Sequence, residues 1–169
     1  MTKLTIIESL AQATQQATTE LIIRIFPYEN PDIPRRSLEL SVNIEKHKEA
    51  IKNLGGTLDR HHWVARQEDK IVGTIGYYVL LKDELEASWL SWYCVAPEAR
   101  NQGIGSKLLE IVIAHIKASG KQYVRVFTSD IPEEKQAQKL YKKIGFVYFR
   151  EPKFDPASQT NHLYLQLKL

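Results

Sequence analysis

Apolar residues change their spacing several times along the chain, and each change predicts a new element. Thr5, Ile6 and Ile7 read as a short first strand. Residues 10–26 follow a helical period, with Leu10, Ala13, Ala17, Leu21 and Ile25 near one face. Pro27, Pro31 and Pro34 then punctuate FPYENPDIPRRS. That spacing predicts an ordered loop, because proline lacks an N–H and clashes inside a helix. Ser37 is placed to cap a second helix that carries Leu38, Val42, Glu45 and Glu49 and ends near Gly55 and Gly56.

From His61 the period shortens to that of strands. HHWVARQ, KIVGTIGYYVLL and EASWLSWYCVA are rich in β-branched and aromatic residues, with polar breaks at Glu68-Asp69 and Lys82-Asp83-Glu84. They predict a three-stranded antiparallel meander. A helix follows, in which Ile104, Leu108, Leu109, Ile111, Val112, Ile113 and Ile116 fill an arc of about 200°. Gly120 ends it, and QYVRVFTS reads as a strand, so residues 86–128 form a βαβ unit with parallel strands. A fourth helix starts near Pro132 and carries Ala137, Leu140, Tyr141 and Ile144. FVYFR and HLYLQLKL are strands, with EPKFDPASQTN a loop between them. The order β-α-α-β-β-β-α-β-α-β-β predicts an α/β fold, a mixed, mainly antiparallel twisted sheet with helices on both faces.

Composition narrows this picture. The 169 residues suit a single domain over 1–169, and 43% hydrophobic with 25% charged residues argues against disorder. The net charge of +3 is too mild for a dedicated nucleic-acid binder and compatible with one small anionic ligand. The longest apolar runs, such as LIIRIF, fall far short of the roughly 20 residues a membrane span needs, and the N-terminus is a poor signal peptide. Cys94 is the only cysteine, so it can form neither an internal disulfide nor a thiolate metal site. These features predict a cytoplasmic soluble protein without a metal. His61 and His62 point to opposite faces of a strand and cannot chelate one ion together.

The candidate chemistry centres on Arg100-Asn101-Gln102-Gly103-Ile104-Gly105-Ser106, between a strand and a helix start. A helix N-terminus offers unpaired N–H groups and positive dipole charge. Glycines let an anion approach those groups, and Arg100 adds a fixed charge, which together suit a pyrophosphate. The glycines alone leave open a plain strand-to-helix turn. Two familiar phosphate loops do not fit. Gly105 precedes Ser106-Lys107 in the wrong order for a P-loop, and Leu108 breaks the dinucleotide pattern.

Val95-x-Pro97-x-x-Arg100-Asn101-Gln102-Gly103-Ile104-Gly105-Ser106-Lys107-Leu108-Leu109 resembles the acetyl-CoA motif of the GNAT N-acetyltransferases, Arg/Gln-x-x-Gly-x-Gly/Ala. A second signature of that family, Ala-x-x-Leu-Tyr-x-x-x-Gly-Phe, is matched by Ala137, Leu140, Tyr141, Gly145 and Phe146. The resemblance implies acetyl-CoA as co-substrate, held between a splayed fourth and fifth strand. Its pantetheine arm would pair with backbone near Cys94 and Val95, and its pyrophosphate would lie on N–H groups from Gln102 to Ser106. It further implies Tyr141 as the acid for the departing thiolate, and a backbone N–H near Val95 as oxyanion donor.

The base departs from the family pattern. Where relatives place Glu or His, this chain has Trp89 and Ser91, with Tyr93 further along the same alternating face. Glu86 acting through water, a water chain through Ser91, and bulk solvent all stay open. Glu134 stands where many members carry an Asn, which alters a contact to the cofactor arm. The expected reaction is direct acetyl transfer, by a monomer or homodimer, to the primary amine of a small molecule. A protein lysine or N-terminus, or a non-catalytic acyl-CoA-binding module, are the other readings. Arg35 and Arg36, in the loop that shapes the acceptor pocket of relatives, are candidates for touching that acceptor.

Overall fold

In the computed structural model, which describes residues 3–46 and 57–169, eight strands form one sheet. They are β1 (Thr5–Ser9), β2 (Thr57–Gln67), β3 (Lys70–Leu80), β4 (Ala87–Val95), β5 (Tyr123–Ser129), β6 (Val147–Tyr148), β7 (Lys153–Asp155) and β8 (Thr160–Lys168). The order is β1-β2-β3-β4-β5-β8-β6, with β7 also on β8, and only the β4–β5 pair is parallel. The helices are α1 (Gln12–Ile25), α2 (Asp32–Val42), α3 (Ile104–Ala118) and α4 (Lys135–Lys143). The α3 crossover between β4 and β5 forces their parallel pairing, while the short turns of the meander force the antiparallel ones.

Alternation along the strands assigns the two faces. His61, Trp63 and Tyr77 form a ring cluster with His115 of α3, in which the Tyr77 hydroxyl lies 3.2 Å from His115 Nε2. Arg60 and His62 point the other way, and Arg60 bonds Ser37 of α2. The sheet is therefore sandwiched, with α3 on one face and the α1–α2 pair on the other. Leu108, Leu109, Val112 and Ile116 of α3 are fully buried, as their arc predicts.

Three elements differ from the sequence expectation. The Pro-rich stretch is not all loop, since α2 begins at Asp32. Pro31 is its N-cap and Pro34 lies in its first turn, where the missing N–H would have had no helical partner anyway. Ser37 is accordingly inside α2 and buried rather than capping it. The helix is capped at Asn43, and its expected end near Gly55 and Gly56 lies outside the described residues. In α1 the buried residues are Thr18, Thr19, Leu21 and Ile22, while Ala13 and Ala17 are exposed. The threonines tolerate burial because their hydroxyls donate back to the Thr14 and Gln15 carbonyls at 2.7 and 2.9 Å. Finally, the expected loop 151–161 contains β7, and FVYFR pairs through only two residues.

His62 is fully buried, and neither ring nitrogen has a hydrogen-bond partner among the described residues. Its ring lies over Gly76, where a Cβ would approach it to 2.2 Å. Burial first, then the nearby positive Arg60 and His61, hold its pKa well below the ordinary 6.5. The unfolded chain therefore binds a proton that the folded chain refuses as the pH falls through 6.5. Stability is expected to drop there, by up to about 1.4 kcal/mol per pH unit from this group. His62→Leu should flatten the slope that urea denaturation records between about pH 7 and 5. An unchanged slope would mean that His62 is protonated in the folded protein.

Candidate active site

The cleft starts where β4 and β5 part. Only Ala87, Ser88 and Trp89 of β4 pair with Tyr123, Val124 and Arg125 of β5. Just beyond, β4 bulges. Thr74 faces Cys94 and Gly76 faces Ser91, so Trp92 and Tyr93 together oppose the single Ile75, and Trp92 has φ +44°. The bulge bends β4 away from β5, which is the splay expected from the family resemblance. It also breaks the alternation. Tyr93 does not continue the face of Trp89 and Ser91, because its ring lies 5.9 Å from that of Tyr141 and its hydroxyl reaches Gly105. The Trp92 ring instead meets Phe26 at the end of α1, 6.0 Å away.

After Val95 the chain makes a 3₁₀ turn at Pro97–Ala99 and enters the motif. Asn101 (φ +61°) and Gly103 (φ +76°) are both left-handed, and Gly103 is the N-cap of α3. The first helical bond runs from the Lys107 N–H to the Gly103 carbonyl at 3.1 Å, and no side chain caps the helix. The N–H groups of Ile104, Gly105 and Ser106 come before that bond and have no partner within the helix. A Cβ at Gly103 would meet nothing within 4 Å, so glycine is required there by the backbone conformation. A Cβ at Gly105 would stand 2.5 Å from the Tyr93 hydroxyl, so the protein itself uses that space. Arg100 donates its Nε–H to the Val95 carbonyl at 3.1 Å, which holds the guanidinium beside this turn. The set of free N–H groups, open approach and fixed cation fits a diphosphate.

A cavity of about 1000 Å³ runs from this turn along β4 to α1 and α2. Its walls include Ser91, Cys94, Val95, Arg100, Asn101, Gly103, Ile104, Gly105, Ser106, Glu134 and Tyr141. Three of the candidate site residues, Arg35, Gln102 and Glu86, do not line it, and the Arg35 guanidinium pairs instead with Asp32 one turn earlier in α2. The Gln102 side chain is turned toward β2, where its carbonyl accepts from Gln67 Nε2 at 2.9 Å. Glu86 lies at the closed end of the β4–β5 pair, and Arg125 Nη2 takes its carboxylate at 2.9 Å. An engaged carboxylate outside the cavity is not placed to accept a proton from an acceptor in it.

Tyr141 is 3% exposed, its ring packed 5.9 Å from Tyr93 and 5.3 Å from Phe146. Burial, then Tyr93 and Glu134, raise its pKa well above 10. It therefore stays protonated across the neutral range. Burial pushes the Cys94 thiol up to about 12, which leaves it a poor nucleophile. Glu134 accepts from the Thr128 hydroxyl and from the Ser129 N–H at 2.7 Å, so it ties the start of α4 to the end of β5.

Several cavity residues carry no signal in the sequence, though Tyr78 belongs to the aromatics of the central strands, a group from which lining of an acceptor cleft is expected. Glu29, in the α1–α2 turn, has its carboxyl raised by burial and by Glu134. Ser37, Arg60 and Tyr78 come from three separate elements. No short motif joins them, because only the register of β2 on β3 brings Arg60 opposite Tyr78.

Comparison with known proteins agrees with this geometry. Residues 58–148 match the family model described as Acetyltransferase (GNAT) domain. A probable N-acetyltransferase, camello, of Xenopus laevis is 36% identical over 84 residues, 50% of this chain and 37% of that protein. Human N-acetyltransferase 8B is 34% identical over 86 residues, with the same coverage. The chain thus spans about a third of the length of these curated relatives. Among solved structures, a GNAT acetyltransferase from Staphylococcus aureus Mu50 superposes with TM-score 0.71 at 24% identity, covering 98% of this chain and 99% of that one. An aminoglycoside 6'-N-acetyltransferase complexed with coenzyme A gives 0.72 at 14% identity over 96% of each chain. The family match covers more than half of the chain and includes the bulged strand, the left-handed turn and Tyr141, so the chain belongs to the GNAT acetyltransferase family.

Proposed function

We propose that this chain is an acetyl-CoA-dependent N-acetyltransferase that moves the acetyl group directly to a primary amine of a small molecule. The observation that carries this reading is the continuity of the cavity. It connects the open N-terminus of α3, the bulge of β4, the Tyr141 phenol and the wall formed by α1 and α2. Acetyl-CoA supplies an acyl thioester, and the residues present fit its diphosphate as described above. Arg100 and the first turn of α3 would hold that diphosphate, and the β4 edge freed by the bulge would take the pantetheine amides.

The chain's residues then divide the work. A β4 backbone N–H beside the bulge donates to the tetrahedral oxyanion. The C–N bond forms before the C–S bond breaks; Tyr141 gives its proton to the departing sulfur, and the surplus proton of the new amide nitrogen passes to solvent. Ser91 lines the acceptor side and can hold a water that removes the ammonium proton. Glu29 lines the same cavity, and its raised pKa moves it toward the range of a useful base.

The test is release of coenzyme A thiol from acetyl-CoA, measured with polyamines, amino acids, aminoglycosides and lysine peptides as acceptors. Amine-dependent release with small amines supports the reading. Release only with peptides would transfer the activity to protein substrates, and binding without release would make the chain a sensor. Gly103→Val places a β-branched residue at φ +76° and is expected to weaken acetyl-CoA binding about tenfold or more by calorimetry. Unchanged affinity would remove the cradle from this site.

A further inference from the structure

The cavity contains a cation that has no counter-charge among the described residues. Arg60 stands on β2, opposite Tyr78 of β3, and its guanidinium lies 5.6 Å from the Tyr78 ring centre. One Nη donates to the Ser37 hydroxyl and carbonyl of α2. The Nε–H is sealed from solvent and has no partner among the described residues. No described carboxylate acts on the group. Burial pushes its pKa down to about 10, and the one opposing influence is Tyr78, whose phenol is itself raised and so uncharged at neutral pH. The neighbouring carboxylates are committed elsewhere. Asp59 takes the Tyr77 hydroxyl at 2.7 Å on the other face of the sheet, and Asp83 pairs with Arg125. A half-buried guanidinium with an orphaned N–H and no partner anion is costly to maintain unless an anion reaches it during function.

Acetyl-CoA is not that anion. The diphosphate cradle lies at the end of the sheet where Ala65, Gly73 and Val95 align across β2, β3 and β4. Arg60 aligns with Tyr78 and Trp89, at the opposite end of the same strands, past the row of His62, Gly76 and Ser91. It is thus beside the acceptor wall. Arg36 of α2 lines the same wall and is exposed to it. Of the acidic residues that line the cavity, Asp32 of α2 is paired with Arg35, and Glu29, Glu133 and Glu134 gather at the other side. Glu134 is fixed to the end of β5, and Glu29 and Glu133 act on Tyr28 together with it. The arginines over β2 and β3 thus face these three carboxylates, beside which Lys139 and Lys143 of α4 also line the cavity.

We propose that Arg60, assisted by Arg36, binds a carboxylate of the acceptor, so that the substrate is an amine that also carries a carboxylate. This rests on the acetyltransferase reading and adds the substrate class to it. The planar guanidinium suits a carboxylate, and the acidic side of the cavity receives the ammonium end of the same molecule.

The experiment compares matched acceptors with the wild-type protein. Each α-amino acid, and each ω-amino acid of two to six carbons, is paired with its carboxamide, which keeps the amine and removes the charge. For the best acceptor, kcat/KM is expected to fall about 10- to 100-fold in the carboxamide. In Arg60→Gln that ratio should shrink to a few-fold, through loss of the acid's advantage, while the acetyl-CoA dissociation constant stays within twofold. Arg60→Lys should retain an intermediate ratio. A merely structural Arg60 would slow acid and amide alike and leave the ratio untouched, which overturns the proposal. So does a wild-type protein that uses carboxamides or plain amines as well as acids, a result that needs no variant to fold. If acetyl-CoA binds but no amine of any kind is acetylated, the parent reading falls too, and the two failures are thereby distinguished.

Discussion

Tyr141→Phe is expected to lower kcat about 100-fold or more while acetyl-CoA still binds with near wild-type affinity. The phenol loses one oxygen and the ring keeps its packing against Tyr93 and Phe146, so the fold is barely disturbed. What disappears is the proton for the leaving sulfur. The pH profile supplies the sharper signature. Burial raises the Tyr141 pKa well above 10, so the acid form persists through neutral and mildly alkaline pH. Wild-type kcat should therefore show no alkaline fall from this group below about pH 10, and the variant should lower the plateau rather than shift it. A plateau of unchanged height would assign the proton to another donor and leave Tyr141 as packing.

The second large effect concerns the closed end of the cleft. Arg125 is 7% exposed and bonds Asp83 at 2.9 Å and Glu86 at 2.9 Å, while Asp83 also accepts from the Trp89 indole at 2.7 Å. Its guanidinium lies 4.9 Å from the Phe149 ring centre. Arg125→Met leaves the buried Asp83 with the indole as its only donor among these partners, and is expected to cost about 3–5 kcal/mol in urea denaturation. Asp83→Asn with Arg125→Met should recover much of that loss, because the orphaned charge is gone. Equal losses in the single and double variants would show that packing, not charge, is what the network provides. The Trp89–Arg125 pair is also the last rung before β4 and β5 separate. Activity of the folded fraction is a second readout, since a slipped last rung widens the cleft.

Much of this architecture was legible in the residues. The β4-α3-β5 unit, the meander and the two glycine-bearing termini follow from periodicity, and the cradle follows from Arg100 to Ser106. The failures have physical causes. Periodicity cannot see a bulge and so places Tyr93 on the wrong face, although the bulge is what frees the strand edge. Pro31 and Pro34 read as breakers because a sequence does not say which turn of a helix a proline occupies. Glu86 looked available because its partner lies 39 residues away on β5. Arg60 gave no local signal, since its meaning depends on what fails to stand beside it.

The order of the strands also bears on how the protein is made. β5 lies inside the sheet, with β4 on one side and β8 on the other, yet β8 is the last of the eight strands in the chain. The part of the chain through α3 and β5 is synthesised before β8, and until β8 follows one edge of β5 is unpaired. That edge stays open to strand pairing with another chain until residues 160–168 emerge and fill it. A chain stalled before residue 160 would hold that edge exposed.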